Sequence, residues 1–143
     1  MQVLLSMGHG DELVLADGNF PSSSHGHIVV DCSGHTLPEL LDAILRFFPL
    51  DYAVPQAVFL MAAPDHLKPD DLWCCYEEII KSHEPGFTGF TTLEKPAFYA
   101  RAKTAYAIIA SGETARFANL ILRKGVVHPD QIPGIIHREV RQV

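Results

Sequence analysis

Apolar residues along the chain fall into short unbroken runs and into a wider three-and-four rhythm, and the two spacings predict different elements. Glu12–Ala16 (ELVLA) is a compact run closed by Asp17, Gly18 and Asn19, the profile of a buried strand ended by turn formers. Asp17 is then expected at a strand's carboxyl end. From Thr36 the spacing changes, and Leu37, Leu40, Leu41, Ile44, Leu45 and Phe48 share one face of an amphipathic helix. Thr36 and Glu39 form a capping-box pattern at its start. Pro49 and Pro55 punctuate the chain before residues 56–62 (QAVFLMA), a second buried-strand candidate. Residues 69–82 read as a second helix, with Leu72, Trp73, Tyr76, Ile79 and Ile80 on one face and Pro69 near its first turn. Residues 87–92 and 119–124 are further strand candidates. Residues 97–103 form a short helix leading into the apolar run 105–110, which Ser111, Gly112 and Glu113 stop.

Strands alternating with helices in this way predict an α/β layered sheet with helices on both faces. In such folds ligands gather at the carboxyl ends of the strands, where loops converge on a rigid edge. The length, 143 residues, predicts a single domain over 1–143, and its end over 127–143, which carries Pro129 and Pro133, reads as a tail. Hydrophobic residues make up 48% and charged residues 20%, enough apolar surface to drive folding. A net charge of -6 argues against attraction to a phosphate backbone or an anionic membrane. Cys32, Cys74 and Cys75 are odd in number and two are sequence neighbours, which fits a reducing compartment. The opening MQVLLSMGHGD has neither the basic leader of a signal peptide nor the length of a membrane span, so the cytoplasm is the expected location.

Among groups that could do chemistry, His9 stands between Gly8 and Gly10 just ahead of the first strand, where the backbone can approach a ligand closely. Histidine carries protons near neutral pH, although a surface turn is the readier account of Gly8-His9-Gly10-Asp11 in isolation. His25 and His27 have a spacing open to metal, but no Cys or carboxylate cluster completes a site, and no metal is expected. Trp73 and Tyr76 could stack on a ligand, yet their helical spacing favours core or subunit interface. Cys74 and Cys75 have no catalytic companion in sequence and read as packing residues.

The whole run MGHGDELVLADGNFP, residues 7–21, resembles the signature opening of the ribose pyranase and fucose mutarotase (RbsD/FucU) family. The likeness continues in AFYARAKTAYAIIASG and TARFANLILRKG, so that it spans roughly residues 6–126, and the F-Y-x-R-A-K block is closest to the fucose mutarotase branch. The resemblance implies a three-layer α/β/α sandwich with a mostly parallel or mixed central sheet. It also implies an isomerase that interconverts anomers or ring forms of a free monosaccharide, L-fucose or a similar sugar, with no cofactor and as a homo-oligomer. Ring opening of a hemiacetal needs a base at the anomeric hydroxyl and an acid at the ring oxygen. The motif assigns this chemistry to His9, with Asp17 orienting it or binding sugar hydroxyls. Arg101 takes the position of the branch's functional arginine, whose planar fork can hold two sugar oxygens. Asn19, Tyr99, Phe117 and Asn119 complete the expected substrate-binding set.

This chain also departs from the family pattern. Phe117 stands where relatives usually have a tyrosine, and if the missing hydroxyl serves catalysis its loss costs on the order of a hundredfold in rate. Asn19 replaces a histidine common in bacterial members, while keeping hydrogen-bonding capacity. Only six residues precede Met7, where relatives usually carry a helix. The alternative reading is therefore a non-catalytic sugar-binding accessory protein linked to sugar transport. An interaction module on the same scaffold is a third, since fold alone does not set function.

Overall fold

The computed structural model describes residues 1–51 and 54–126. Its elements run α1 (Gln2–Ser6), β1 (Glu12–Ala16), α2 (Ser22–His25), β2 (Val29–Cys32), α3 (Leu37–Leu45), β3 (Val58–Met61), a single 3-10 turn (Asp65–Leu67), α4 (Asp70–His83), β4 (Thr91–Leu93), α5 (Lys95–Thr104), β5 (Ala107–Ser111) and β6 (Leu120–Arg123). The six strands form one sheet in the order β2-β5-β1-β6-β3-β4. β2, β5 and β1 are mutually parallel, as are β3 and β4, and β6 lies antiparallel between β1 and β3. The expected α/β/α sandwich with a mixed sheet is thus observed. The tail over 127–143 lies outside the described residues.

Both faces of β1 are covered. Leu13 and Leu15 join Leu37, Leu41, Phe48, Leu60, Tyr76, Ile80, Leu120 and Leu122 beneath α1, α3 and α4. Val14 and Ala16 face the other way, against Phe20, Phe59, Phe98, Ala102, Ile108 and Ile121 beneath α5 and α2. A strand buried on both sides reads in sequence as a continuous apolar run, which is why β1, β3 and β5 were legible. β2 was not, because this edge strand alternates exposed and half-buried residues and has no such run.

Three local expectations are corrected. Thr36 does occupy the N-cap of α3, but its side chain makes no capping bond, and the Glu39 carboxylate lies 3.2 Å from His35 Nδ1 instead. Of residues 87–92 only Thr91 and Thr92 enter a strand; Phe87 and Phe90 pack edge to face on one another, 5.2 Å between centroids, and against the core. The segment before Met7 contains a short helix, α1, too brief for its hydrophobic spacing to register in sequence.

α1 is tied down by a buried cation. Lys124 Nζ donates to the Leu4 and Met7 carbonyls, 2.6 and 2.8 Å away, at the end of the helix where carbonyls lack intrahelical partners. Burial lowers the lysine's pKa, and the nearby Asp11 carboxylate opposes that shift. Lys124→Ala strands both carbonyls and is expected to lower stability by about 2 kcal/mol in urea melts. An unchanged midpoint would show that α1 does not depend on this contact.

Candidate functional site

The polar residues of interest gather at the two opposite ends of β1. At its carboxyl end Asp17 leaves the sheet and turns back on itself, with the Asn19 amide donating to Asp17 Oδ1 at 3.0 Å. This is an Asx turn, the local geometry that aspartate favours after a strand. The Asp17 amide donates to Asn119 Oδ1 at 2.6 Å, and Asn119 precedes β6, so the antiparallel placement of β6 brings the two residues together. Phe117 lies two residues earlier with a positive φ of 55°, left-handed backbone that a bulky side chain rarely adopts. Ser111, at the end of neighbouring β5, donates from Oγ to the Ala16 carbonyl at 2.6 Å. Gly112 follows it where a methyl group would collide with the Ser33 carbonyl, so only glycine lets these two loops meet.

Tyr99 borders the same end from α5. Its ring meets Phe20 edge-on at 5.4 Å and His25 at 5.3 Å, with Lys95 Nζ 5.6 Å from its centroid. His25 therefore sits in an aromatic cluster. Asn19 is exposed in the Asp17 turn, where its side chain can face solvent or a ligand.

At the amino end of β1, Gly10 takes a φ of +87° that a side chain would strain, and the tight turn it permits presents His9. His9 Nε2 lies 3.2 Å from Asp51 Oδ1, and Arg123 Nε donates to Asp51 Oδ2 at 2.9 Å. The His9 side chain is half exposed while that of Asp51 is 2% exposed, so a buried carboxylate holds an accessible imidazole. Arg101 belongs to this end. Its Nε and Nη2 donate to Glu12 Oε2 at 3.0 and 2.6 Å, and its guanidinium stacks 3.9 Å from the Phe59 centroid. The fork is thereby set in place by a carboxylate, as a planar donor array requires.

Within one chain the expected pair does not meet. β1 stands between His9 and Asp17, a separation of roughly 16 Å at the usual rise per strand residue. Asp51, and not Asp17, orients His9. Sequence reading missed Asp51, Arg123 and Glu12, because each finds its partner far along the chain, across the sheet or on α5, with no local spacing to betray it. The one available signal was an acidic residue set directly after the apolar stretch ending in Leu50.

Asp17 is buried, and desolvation raises its pKa above the ordinary 3.8 despite the opposing pull of the Asn19, Phe20 and Ala118 amides and the Asn119 side chain. A carboxyl with a raised folded pKa contributes stability that is full below its unfolded value and is lost as pH rises through the folded one. Relative to Asp17→Asn, the wild type should therefore lose ground between about pH 4 and pH 7. Urea midpoints of both proteins at the two pH values check this, and a pH-independent difference would refute it.

The comparisons with known proteins agree on one family. A family model described as the RbsD / FucU transport protein family matches residues 1–127. The fucose mutarotase of Danio rerio is 46% identical over 138 residues, an overlap of 92% of this chain and 89% of that protein. Among solved structures, FucU from Bifidobacterium longum superposes with a TM-score of 0.84 at 49% identity, covering 89% of this chain and 93% of the other. The fucose mutarotase of Streptococcus pneumoniae, solved in complex with L-fucose, gives 0.83 at 43%, covering 89% and 91%. With the fold, the segment over residues 7–21 and these likenesses in agreement, the chain belongs to the RbsD/FucU family.

Proposed function

We propose that this protein is a fucose mutarotase, a cofactor-independent isomerase that opens and recloses the ring of a free monosaccharide. The carrying observation is its likeness, over 89% of the chain, to a mutarotase solved with L-fucose. The chemistry asks for two proton-transfer groups. A base removes the anomeric hydroxyl proton while an acid protonates the ring oxygen as the C1–O5 bond breaks, and closure on the other face of the carbonyl returns both protons. His9, backed by the buried Asp51 carboxylate, serves as the principal acid/base. Asp17, whose carboxyl gains proton affinity from burial, is the second proton-transfer group, and Asn19, Asn119, Phe117 and Tyr99 line the sugar beside it. Arg101, fixed by Glu12, offers its remaining donors to sugar oxygens.

His9 and Asp17 reach one sugar only if two copies of the chain meet, the amino end of β1 in one against the carboxyl end in the other. The functional unit is thus a homo-oligomer, either a two-fold pair with two sites or a ring with one site at each interface. Among the described residues no helix is long and apolar enough to cross a membrane. We assign the enzyme to the cytoplasm, in line with its three free cysteines.

Exchange spectroscopy on the anomeric protons of L-fucose tests both statements. The wild type should speed exchange, and His9→Ala should lose about a hundredfold or more. Mixing His9→Ala with Asp17→Ala should restore part of the rate, because some interfaces then carry one intact residue of each kind. No acceleration by the wild type ends the enzyme reading, and no recovery in subunit-exchanged mixtures ends the shared site.

Phe117 favours a second reading, sugar binding without useful turnover. If so, calorimetry detects L-fucose binding while exchange stays at background, and Phe117→Tyr restores exchange by about a hundredfold. Fast exchange in the wild type would instead show that no phenolic hydroxyl is needed at this position.

A further inference from the structure

The left-handed backbone at Phe117 needs an explanation, because a non-glycine residue at φ 55° carries a conformational cost that its surroundings must offset. Two side chains of α4 lie against this segment. Trp73 Nε1 donates to the Phe117 carbonyl at 3.1 Å, and the Tyr76 hydroxyl donates to the Ala118 carbonyl at 2.8 Å. Three residues apart on one helix, the two donors grip consecutive peptide groups. The next residue is Asn119, whose side-chain oxygen accepts the Asp17 amide. A continuous path of hydrogen bonds thus runs from α4 through the turn to Asp17. Tyr76 is fully buried, and its pKa is raised first by that burial and then by the carboxylates of Glu113 and Asp17.

We propose that Trp73 and Tyr76 are positioning residues for the sugar site, holding the Phe117–Asn119 turn in its left-handed form so that Asn119 fixes Asp17 toward the ligand. The inference rests on the reading of Asp17 as a sugar-facing group. Helical spacing favours core or subunit interface for this pair, and Tyr76 does pack in the core, but a core role needs neither an indole N–H nor a hydroxyl. Phenylalanine fills both places nearly as well. The polar atoms are what the turn uses.

Hydrogen exchange resolved by NMR on the full chain tests this, with the Gly10 amide, bonded to the Lys124 carbonyl at the opposite end of the sheet, as internal reference. In Trp73→Phe and in Tyr76→Phe the Asp17 amide should exchange about tenfold faster while Gly10 is unchanged. In sugar exchange kinetics the same variants should lower kcat about tenfold with KM within about twofold, the mark of misplaced chemistry and not of lost binding. Adding Phe117→Gly to Trp73→Phe should restore Asp17 protection, since glycine adopts the left-handed conformation without a clamp. Parallel acceleration at Asp17 and Gly10 would reduce the pair to ordinary core residues, and unchanged Asp17 exchange would overturn the proposal outright. If the wild type itself fails to speed sugar exchange, the mutarotase reading falls, while the comparison of the two amides still decides whether the clamp exists.

Discussion

Because β1 is covered by helices on both of its faces, every side chain from Leu13 to Ala16 has to be apolar, and any group that carries a charge or a proton is displaced beyond one end of the strand or the other. The rest of the molecule follows from that separation. Glu12, at the first position, stays in the sheet only because Arg101 meets its carboxylate with a bidentate fork and Phe59 supports the guanidinium. Asp17, just past the last position, is desolvated and is held by amides drawn from its own turn and from the start of β6. The strand works as an insulating rod with a polar assembly at each tip.

The two assemblies differ in character. At the amino end, charged groups compensate one another, Arg123 on Asp51 and Arg101 on Glu12, and the His9 imidazole, also against Asp51, remains accessible. At the carboxyl end, neutral amides and hydroxyls do the holding, and a single carboxyl is left with raised proton affinity. General acid and base steps on a sugar can draw on both kinds of environment, an imidazole in contact with solvent and a carboxyl in a drier wall. Within one chain the two environments stay a strand's length apart.

Much of the fold could be read from the sequence because buried parallel strands and amphipathic helices have different apolar periods. The runs ELVLA and AVFLM announced β1 and β3, and the spacing from Leu37 to Phe48 announced α3. What escaped was whatever lacked a period. β2 is a half-exposed edge strand, α1 and α2 are a turn or so long, and Glu39 found His35 more accessible than the backbone it was expected to cap. The site divides in the same way. His9, Asp17, Arg101 and Asn119 could be named because they stand in a contiguous motif that resembles a known family, whereas Asp51 and Arg123 lie 72 residues apart and meet only through sheet pairing. Sequence placed His9 ahead of β1 and Asp17 past it without showing that the strand between them keeps the two apart within one chain.

The antiparallel β6 has one more implication. Its first residues deliver Asn119 to Asp17 and its last deliver Arg123 to Asp51, so a single pairing register with β1 sets both polar assemblies at once. A slip of one residue would turn Asn119 and Arg123 to the wrong faces together. Length changes in β6 are thus closed to gradual variation, since no insertion there can shift one of the two polar assemblies and spare the other.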